Sequence, residues 1–444
     1  MKRISCWIVS HLCCIGLVCA QTSSTFIDKD DLSFLKGITK AVLDSSKIQP
    51  GQRIVSSSGP NNTKGVLIRP GGRDDYPAFW IRDYSMSLET EMVTVKEQKH
   101  MLMLTASSQC DQSWITKGGS MVPFGAVPDH IRIDDSLPIY FPGTYSYEDQ
   151  GNKVYGMTPP YCDQFYFIHM AYYYAKSTGD YGFLSADING TKLMDRLEIA
   201  FAVPPSRLEN QIVYTDTNFR GVDFGFRDGI VITGDLCFSS ILKFWSAREL
   251  AELFQKMGNN SKSKRYRSIA EQIRKAIPKI FPDKKGFLKA STGISAQPDV
   301  WSTGLAVYLN ILEGDVLKNA CKALSDAYLK GTISNNGSIR HVPTTDDFSD
   351  STAWERTDVP KNRYQNGSYW GTATGWICFA IAKADRENAK RLAKEYITDL
   401  RRNDFRKGAG YGAPYECFYP GVFNANPLYL TTVACPYIVF NSAF

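Results

Sequence analysis

Gly371-Thr372-Ala373-Thr374-Gly375-Trp376-Ile377-Cys378-Phe379-Ala380-Ile381-Ala382 is apolar on every side, and the charged, amphipathic run Asp385–Arg402 follows almost at once. A helix apolar all round must be surrounded by protein, whereas one with a single apolar face lies at the periphery. The same pairing recurs along the chain. Val300–Leu312 and Leu428–Phe440 read as buried helices, and Asn259–Lys279 as a charged outer one. Helical periodicity marks stretches at about 161–177, 180–201, 234–257, 260–280, 298–313, 315–330, 369–384, 386–402 and 426–441. Two earlier helices, Asp30–Ser45 and a long one running from Trp80 to Ser108, bring the number to eleven. Strands are almost absent, apart from a short one at Gly65–Arg69.

Connection lengths alternate with the helices. A buried helix reaches its charged successor in a few residues, as at Gly258 or Lys383-Ala384. The return takes a long loop: 202–233, 281–297, 331–368 and 403–425, with 109–160 longer still. Six inner helices starting near 82, 162, 235, 299, 369 and 427, each backed by outer ones, make an all-α (α/α)6 toroid with its long loops gathered at one end. Long loops inside a compact domain usually carry function. An open α-solenoid is the competing reading, but the hairpins share no repeat motif and the intervals between inner helices are uneven.

The ends of the chain and its composition limit the rest. Lys2 and Arg3, the apolar run Trp7–Val18, and Val18-Cys19-Ala20 before Gln21 form a secretory signal, residues 1–20, which directs the protein to the periplasm or outside the cell. Val18 stands where lipidation of Cys19 would want a small residue. Loss of Lys2 and Arg3 leaves 49 basic against 45 acidic residues, spread without a basic run, so nucleic acid is not implied as a partner. No apolar stretch is long enough to span a membrane. No linker or shift of composition divides residues 21–444, which read as a single domain. The seven cysteines of the mature chain are scattered and odd in number, which suits buried small hydrophobes better than a disulfide framework. Neither Cys-x-x-Cys nor His-Glu-x-x-His occurs, so the sequence calls for no metal or cofactor. Sequons lie at Asn61, Asn189, Asn259, Asn336 and Asn366.

The chemistry gathers where the long loops meet inner helices. Glu416 lies at the centre of Gly412-Ala413-Pro414-Tyr415-Glu416-Cys417-Phe418, a lone carboxylate among aromatics in a Gly-rich loop. Burial there would raise its pKa. The inner-helix starts combine Trp80, Arg82 and Asp83; Asp163; Asp235; Asp299 and Trp301; and Gln365, Tyr369 and Trp370. An Asp at such a start commonly caps the helix. The companion aromatics, converging on one mouth with carboxylates and amides between them, suit a sugar, which has apolar C–H faces and a rim of hydroxyls. Arg82–Asp83 reads equally as a structural ion pair or as a clamp on sugar hydroxyls.

Glycoside hydrolysis needs two carboxyl groups across the scissile bond. In loop 202–233, Asp223 stands between Val222 and Phe224, where desolvation would keep it protonated as an acid; the alternative is a turn-stabilising role. Asp228 is the second candidate, with the adjoining Arg227 expected to keep it ionised. Glu355, beside Trp354, is a further carboxylate in an acidic loop. Polysaccharide lysis would want a Tyr or His base, for which His341 and Tyr411 are isolated candidates, and a non-catalytic glycan binder would need only the aromatic mouth.

Phe79-Trp80-Ile81-Arg82-Asp83 resembles the Trp-x-Arg-Asp sugar-binding signature of the six-hairpin glycosidases, the superfamily of glucoamylases, trehalases, processing α-glucosidases and exo-α-mannosidases. Gln297–Trp301 and Tyr364–Trp370 are similar to its inner-helix starts, and Gly221-Val222-Asp223-Phe224 to the trehalase acid motif, with Val222 in place of Trp. The glucoamylase-type Glu-Glu acid motif is absent, and the likeness singles out no one family. The resemblance implies a secreted hydrolase acting with inversion on the non-reducing end of an α-linked glycan. It places the acid in the loop before the third inner helix (Asp223, or Asp228) and the base in the loop before the sixth (Glu416). Trp80, Arg82, Asp83, Asp299, Trp301, Gln365, Tyr369 and Trp370 would surround the sugar.

Overall fold

The computed structural model describes residues 26–73, 76–153 and 156–444, so the signal stretch 1–20 lies outside the described residues. Twelve α-helices run through the described residues: α1 (Lys29–Ser46), α2 (Ile81–Ser85), α3 (Val95–Ser107), α4 (Tyr161–Thr178), α5 (Leu193–Ala202), α6 (Cys237–Lys256), α7 (Asn260–Ile280), α8 (Val300–Tyr308), α9 (Gly314–Leu329), α10 (Thr374–Ala382), α11 (Arg386–Asn403) and α12 (Leu430–Ser442). Packing follows the even numbers. Helix α2 lies on α4, α4 on α6, α6 on α8, α8 on α10 and α10 on α12, and α12 returns to the turn Leu88–Thr90 just after α2. These six close a ring. The odd-numbered helices back it: α7 against α6, α11 against α10, α1 against α12, α3 and α5 against α4, and α9 against α8 and α10.

Sequence explains who is inside. Helix α11 buries Ala389, Leu392, Ala393, Tyr396, Ile397 and Leu400, a 3–4 spacing that puts all six on one face. Each large side chain among them contributes roughly 1.5–3 kcal/mol by leaving water. Its start is capped by Asp385, which accepts from the Asn388 amide at 3.0 Å. The inner helices approach one another closely through glycine. A β-carbon at Gly304 would meet Ile377 Cδ1 at 2.4 Å, and one at Gly375 would meet Val439 at 2.9 Å.

Two expected helices are broken. The run from Trp80 to Ser108 divides into α2 and α3, because Glu91 takes a left-handed conformation (φ 62°) and Thr94 with Glu97 forms a capping box that starts α3 afresh. The stretch 180–201 opens instead with a 3₁₀ turn and the small hairpin Asp187–Ile188/Thr191–Lys192, turned by Asn189-Gly190 at positive φ.

The all-α reading also needs correction. The chain is mainly helical, but its long loops are tied together by short antiparallel strands. The largest sheet has five, in the order Ser334–Asn335, Ser338–Arg340, Tyr369–Trp370, Tyr415–Tyr419 and Phe423–Pro427. A second joins Ala78–Trp80, His130–Arg132 and Pro138–Ile139. Buried loop backbone must find partners for its N–H and C=O groups, and strand pairing supplies them. Glu416 consequently sits on a strand of a hairpin rather than in an irregular loop. All seven cysteines of the described residues are buried and free. No helix among the described residues is long and apolar enough to cross a membrane. Asn61 and Asn366 are buried, with their amides bonded to backbone carbonyls, which closes those two sequons to a glycan.

Candidate active site

Strand Ala78–Trp80 delivers Trp80 and Arg82 to the mouth of α2, and the hairpin 415–427 delivers Glu416 to the mouth of α12. Between them opens a cavity of about 360 Å³. Tyr76, Trp80, Tyr145, Phe226, Tyr364 and Tyr429 supply its aromatic wall. Among the described residues two carboxylic acids line it, Asp228 and Glu416. An adjoining cavity of about 510 Å³ shares Asp228, Tyr364 and the Pro142–Thr144 turn with it. Asp228 therefore stands at the junction of two compartments.

Glu416 is only 1% exposed. One carboxylate oxygen accepts from Tyr364 Oη at 2.9 Å; the other accepts from Tyr76 Oη at 3.0 Å and from the Asn426 amide. Burial pushes its pKa up to about 7, against the pull of Asn426, Tyr364 and Tyr76. Burial and the neighbouring Glu416 hold both tyrosines well above the ordinary phenol range, so they remain donors. Asp228 keeps part of its surface open and accepts from Gln365 Nε2. Burial raises it to about 6, with Gln365 opposing. Gln365 Oε1 accepts in turn from the Gly229 amide at 2.6 Å, so this wholly buried glutamine fixes the turn that presents Asp228.

The structure does not bring Asp223 to either cavity. Its carboxylate accepts from the Ser239 amide at 3.0 Å and from Ser239 Oγ at 2.6 Å, and pairs with Arg227 at 3.1 Å. Arg227 also meets Asp299 at 2.7 Å and is fully buried. The expected Arg227–Asp228 pairing is therefore replaced by an i, i+4 pair across the 3₁₀ turn Gly225–Arg227. Asp299 caps α8 through the Ser302 amide at 3.1 Å, which makes its carboxylate scaffold rather than sugar contact.

Arg82 lies at the cavity wall amid three carboxylates, Asp129 at 3.1 Å, Asp163 at 3.6 Å and Asp83 at 3.7 Å. Burial alone would raise all three. Arg82 and His130 overcome it at Asp129 and hold that group below its ordinary range, while at Asp163 burial outweighs the pull of Arg82 and that group stays well above. Asp83 does not line the cavity; it accepts from Tyr429 Oη at 2.7 Å and steadies that ring. A β-carbon at Gly225 would fall 1.6 Å from the Arg82 guanidinium, so only glycine lets the loop close over it.

Of the expected aromatic walls only Trp80 lines the cavity, stacked on His130 at 4.2 Å between centroids. Trp301 and Trp370 are wholly buried and pack on His341 and Phe226, while Tyr369 packs on Phe418 and Tyr419. Glu355, His341 and Tyr411 line neither cavity. Tyr76, Tyr145, Phe226, Tyr364, Asn426 and Tyr429 are the residues that sequence reasoning missed. Tyr364 and Tyr429 sit at inner-helix starts like those already singled out, so position alone offered them.

No protein-family model matches the chain, and no curated protein matches it. Solved structures do. A rhamnosidase from Klebsiella oxytoca with rhamnose bound superposes with a TM-score of 0.55 at 12% identity, over 94% of this chain and 65% of that one. A GH78 family rhamnosidase of Bacillus sp. GL1 gives 0.55 at 11%, over 94% and 35%. A protein described as a wild-type glycosidase gives 0.54 at 12%, over 94% and 98%. The fold is shared with glycosidases. The chain spans about two thirds of the length of the first of these and about one third of the second, and nearly all of the third.

Proposed function

We propose that this protein is a glycoside hydrolase of the six-hairpin, (α/α)6 type, with Asp228 as general acid and Glu416 as general base. The observation that carries this is the convergence of two carboxylic acids, from loops almost two hundred residues apart, on one aromatic-walled cavity, each raised toward neutrality by burial. The likeness to solved glycosidases supports the reading.

Asp228 borders both compartments, as a proton donor to the bond between two sugar units must. Glu416 accepts from three donors, all of which favour its ionised form, as suits a base that draws a proton from water. The inner cavity, about 360 Å³, has room for one terminal sugar, with the departing unit in the outer one, which is the arrangement of an exo-acting enzyme. Attack by water on the face opposite the leaving group inverts the anomeric centre, a mechanism that in general requires carboxyl groups about 6.5–9.5 Å apart. Trp80 offers a face for the sugar ring. Among the described residues the one cation on the inner wall, Arg82, is already surrounded by carboxylates, so the terminal sugar is neutral.

The test is hydrolysis of α-linked disaccharides and aryl glycosides, rhamnosides among them, followed by proton NMR of the first-formed anomer. Turnover with an inverted first product supports the proposal. A retained anomer would remove the Glu416-as-base mechanism, and no turnover across the panel would remove the hydrolase reading.

A further inference from the structure

The ring has a second cavity, of about 390 Å³, at the end away from Asp228 and Glu416. Every inner helix lines it: Ser85 of α2, His169 of α4, Trp245 of α6, Tyr308 of α8, Trp376 of α10 and Ser442 of α12. It therefore lies on the axis of the ring. An adjoining cavity of about 810 Å³ shares Glu89, Trp245, Arg248 and Leu309 with it.

A polar pair lies between the two cavities, His169 on the wall of the first and Glu249 on the wall of the second. His169 and Glu249 are both buried and joined by Nδ1–Oε1 at 2.7 Å. Burial pulls the imidazole down but Glu249 outweighs it, so His169 is raised above its ordinary range. Among the described residues neither His169 Nε2 nor Glu249 Oε2 has a hydrogen-bond partner, and the two residues line the adjoining cavities. Trp245 packs on the imidazole with centroids 4.3 Å apart. A buried dyad with one open nitrogen and one open carboxylate oxygen is costly unless something completes it.

We propose that the two adjoining cavities together form a second carbohydrate-binding site, for a neutral mono- or oligosaccharide end. The charges select against ions of either sign. The last residues of α2, α8 and α12 line the first cavity, and the negative ends of those helices, with Glu89, oppose an anion. Arg248 and the imidazolium side of the dyad oppose a cation. A neutral polyol meets neither penalty. Its hydroxyls accept from His169 Nε2 and donate to Glu249 Oε2, and its C–H faces lie on Trp245 and Trp376. The site does not touch the catalytic mouth, and the proposal stands or falls apart from the hydrolase reading.

The test is NMR of the wild-type protein labelled with 5-fluorotryptophan, its signals assigned by single Trp→Phe variants and titrated with glucose, galactose, mannose, rhamnose, fucose and N-acetylglucosamine. Saturable shifts of Trp245 and Trp376 at roughly millimolar sugar, with affinity reduced about tenfold or more in folded His169→Gln, are expected. Trp80 reports the mouth of α2 in the same spectra. Shifts confined to Trp80, or no saturable response of Trp245 and Trp376 to any of the six sugars, would overturn the second site. Saturation of Trp245 unchanged in His169→Gln would remove the dyad from it.

Discussion

Asp223 and Asp228 are five residues apart on one loop, and the structure treats them in opposite ways. Asp223 is enclosed, neutralised by Arg227 and bonded twice by Ser239. Asp228 forms no ion pair among the described residues: Gln365 donates to it, Arg82 pulls on it more weakly from the same cavity wall, and it keeps an open surface toward two cavities. Buried charge is tolerated when it is paired and hydrogen-bonded, and a carboxylate so satisfied has little left to offer a substrate. A carboxyl group buried beside neutral donors alone is left near the pH at which protons move. In the proposed reading the Arg227 cluster is scaffold and the Asp228–Glu416 cavity carries the chemistry. Proximity in sequence does not separate them; the partner does.

The largest expected effect separates the two regions directly. Asp228→Asn and Glu416→Gln each lower kcat/KM on a disaccharide by about a thousandfold or more while the protein stays folded, a loss of about 4 kcal/mol of transition-state stabilisation. Asp223→Asn leaves Arg227 paired with Asp299 but removes the charge-assisted bonds that Arg227 and Ser239 make to Asp223, and lowers unfolding free energy by about 1–3 kcal/mol, measured by denaturant titration. Its folded fraction keeps most of its turnover. If Asp223→Asn is stable but inactive, the comparison fails.

Next in size is Gln365→Leu, which removes the donor to Asp228. Activity falls by about tenfold because the turn loses its brace, and the acid limb of the pH–rate profile, the one near pH 6 that follows Asp228, moves upward because the carboxyl group is now harder to ionise. A uniform fall with an unmoved flank would make Gln365 merely structural.

The wild-type profile itself should be a bell with limbs near pH 6 and pH 7, set by Asp228 and Glu416. With Asp228 the protonated partner and Glu416 the ionised one, roughly one molecule in twenty carries the reactive pattern at the optimum. The opposite assignment gives a bell of the same shape. The profile thus tests the pair, and the leaving group must test the roles.

A further effect concerns stability. The folded value of Glu416, about 7, lies above its ordinary 4.5, so the protonated form favours the fold. That contribution is complete below about pH 4.5 and lost as pH rises to about 7. Wild type should lose up to about 3 kcal/mol relative to Glu416→Gln across this window, seen as diverging melting temperatures. Parallel curves would mean that Glu416 is not desolvated.

Much of the ring was legible because period and burial are local properties of a helix. The starts near 82, 162, 235, 299, 369 and 427 fall within a few residues of the even-numbered helices. Glu416 was legible as a carboxylate among aromatics with no packing purpose. The strand pairings were not, since Tyr369–Trp370 meets Phe418 through contacts that no local pattern encodes. Arg227 misled because adjacency suggested Asp228, whereas a helical turn brings i and i+4 together and sends neighbours apart. Trp301, Tyr369 and Trp370 stand at the right helix starts but pack into protein rather than line the mouth. Tyr429, beside the sixth start, faces the cavity that they miss.

The most direct test compares leaving groups. The kcat/KM ratio of a 2,4-dinitrophenyl glycoside, which departs without a proton, to that of the matching disaccharide would be measured for wild type, Asp228→Asn and Asp223→Asn. The account predicts that Asp228→Asn loses the disaccharide but keeps most of its activity on the activated glycoside, raising the ratio about a hundredfold or more, while Asp223→Asn leaves the ratio at the wild-type value. An equal loss on both substrates in Asp228→Asn, or a raised ratio in Asp223→Asn, would contradict it.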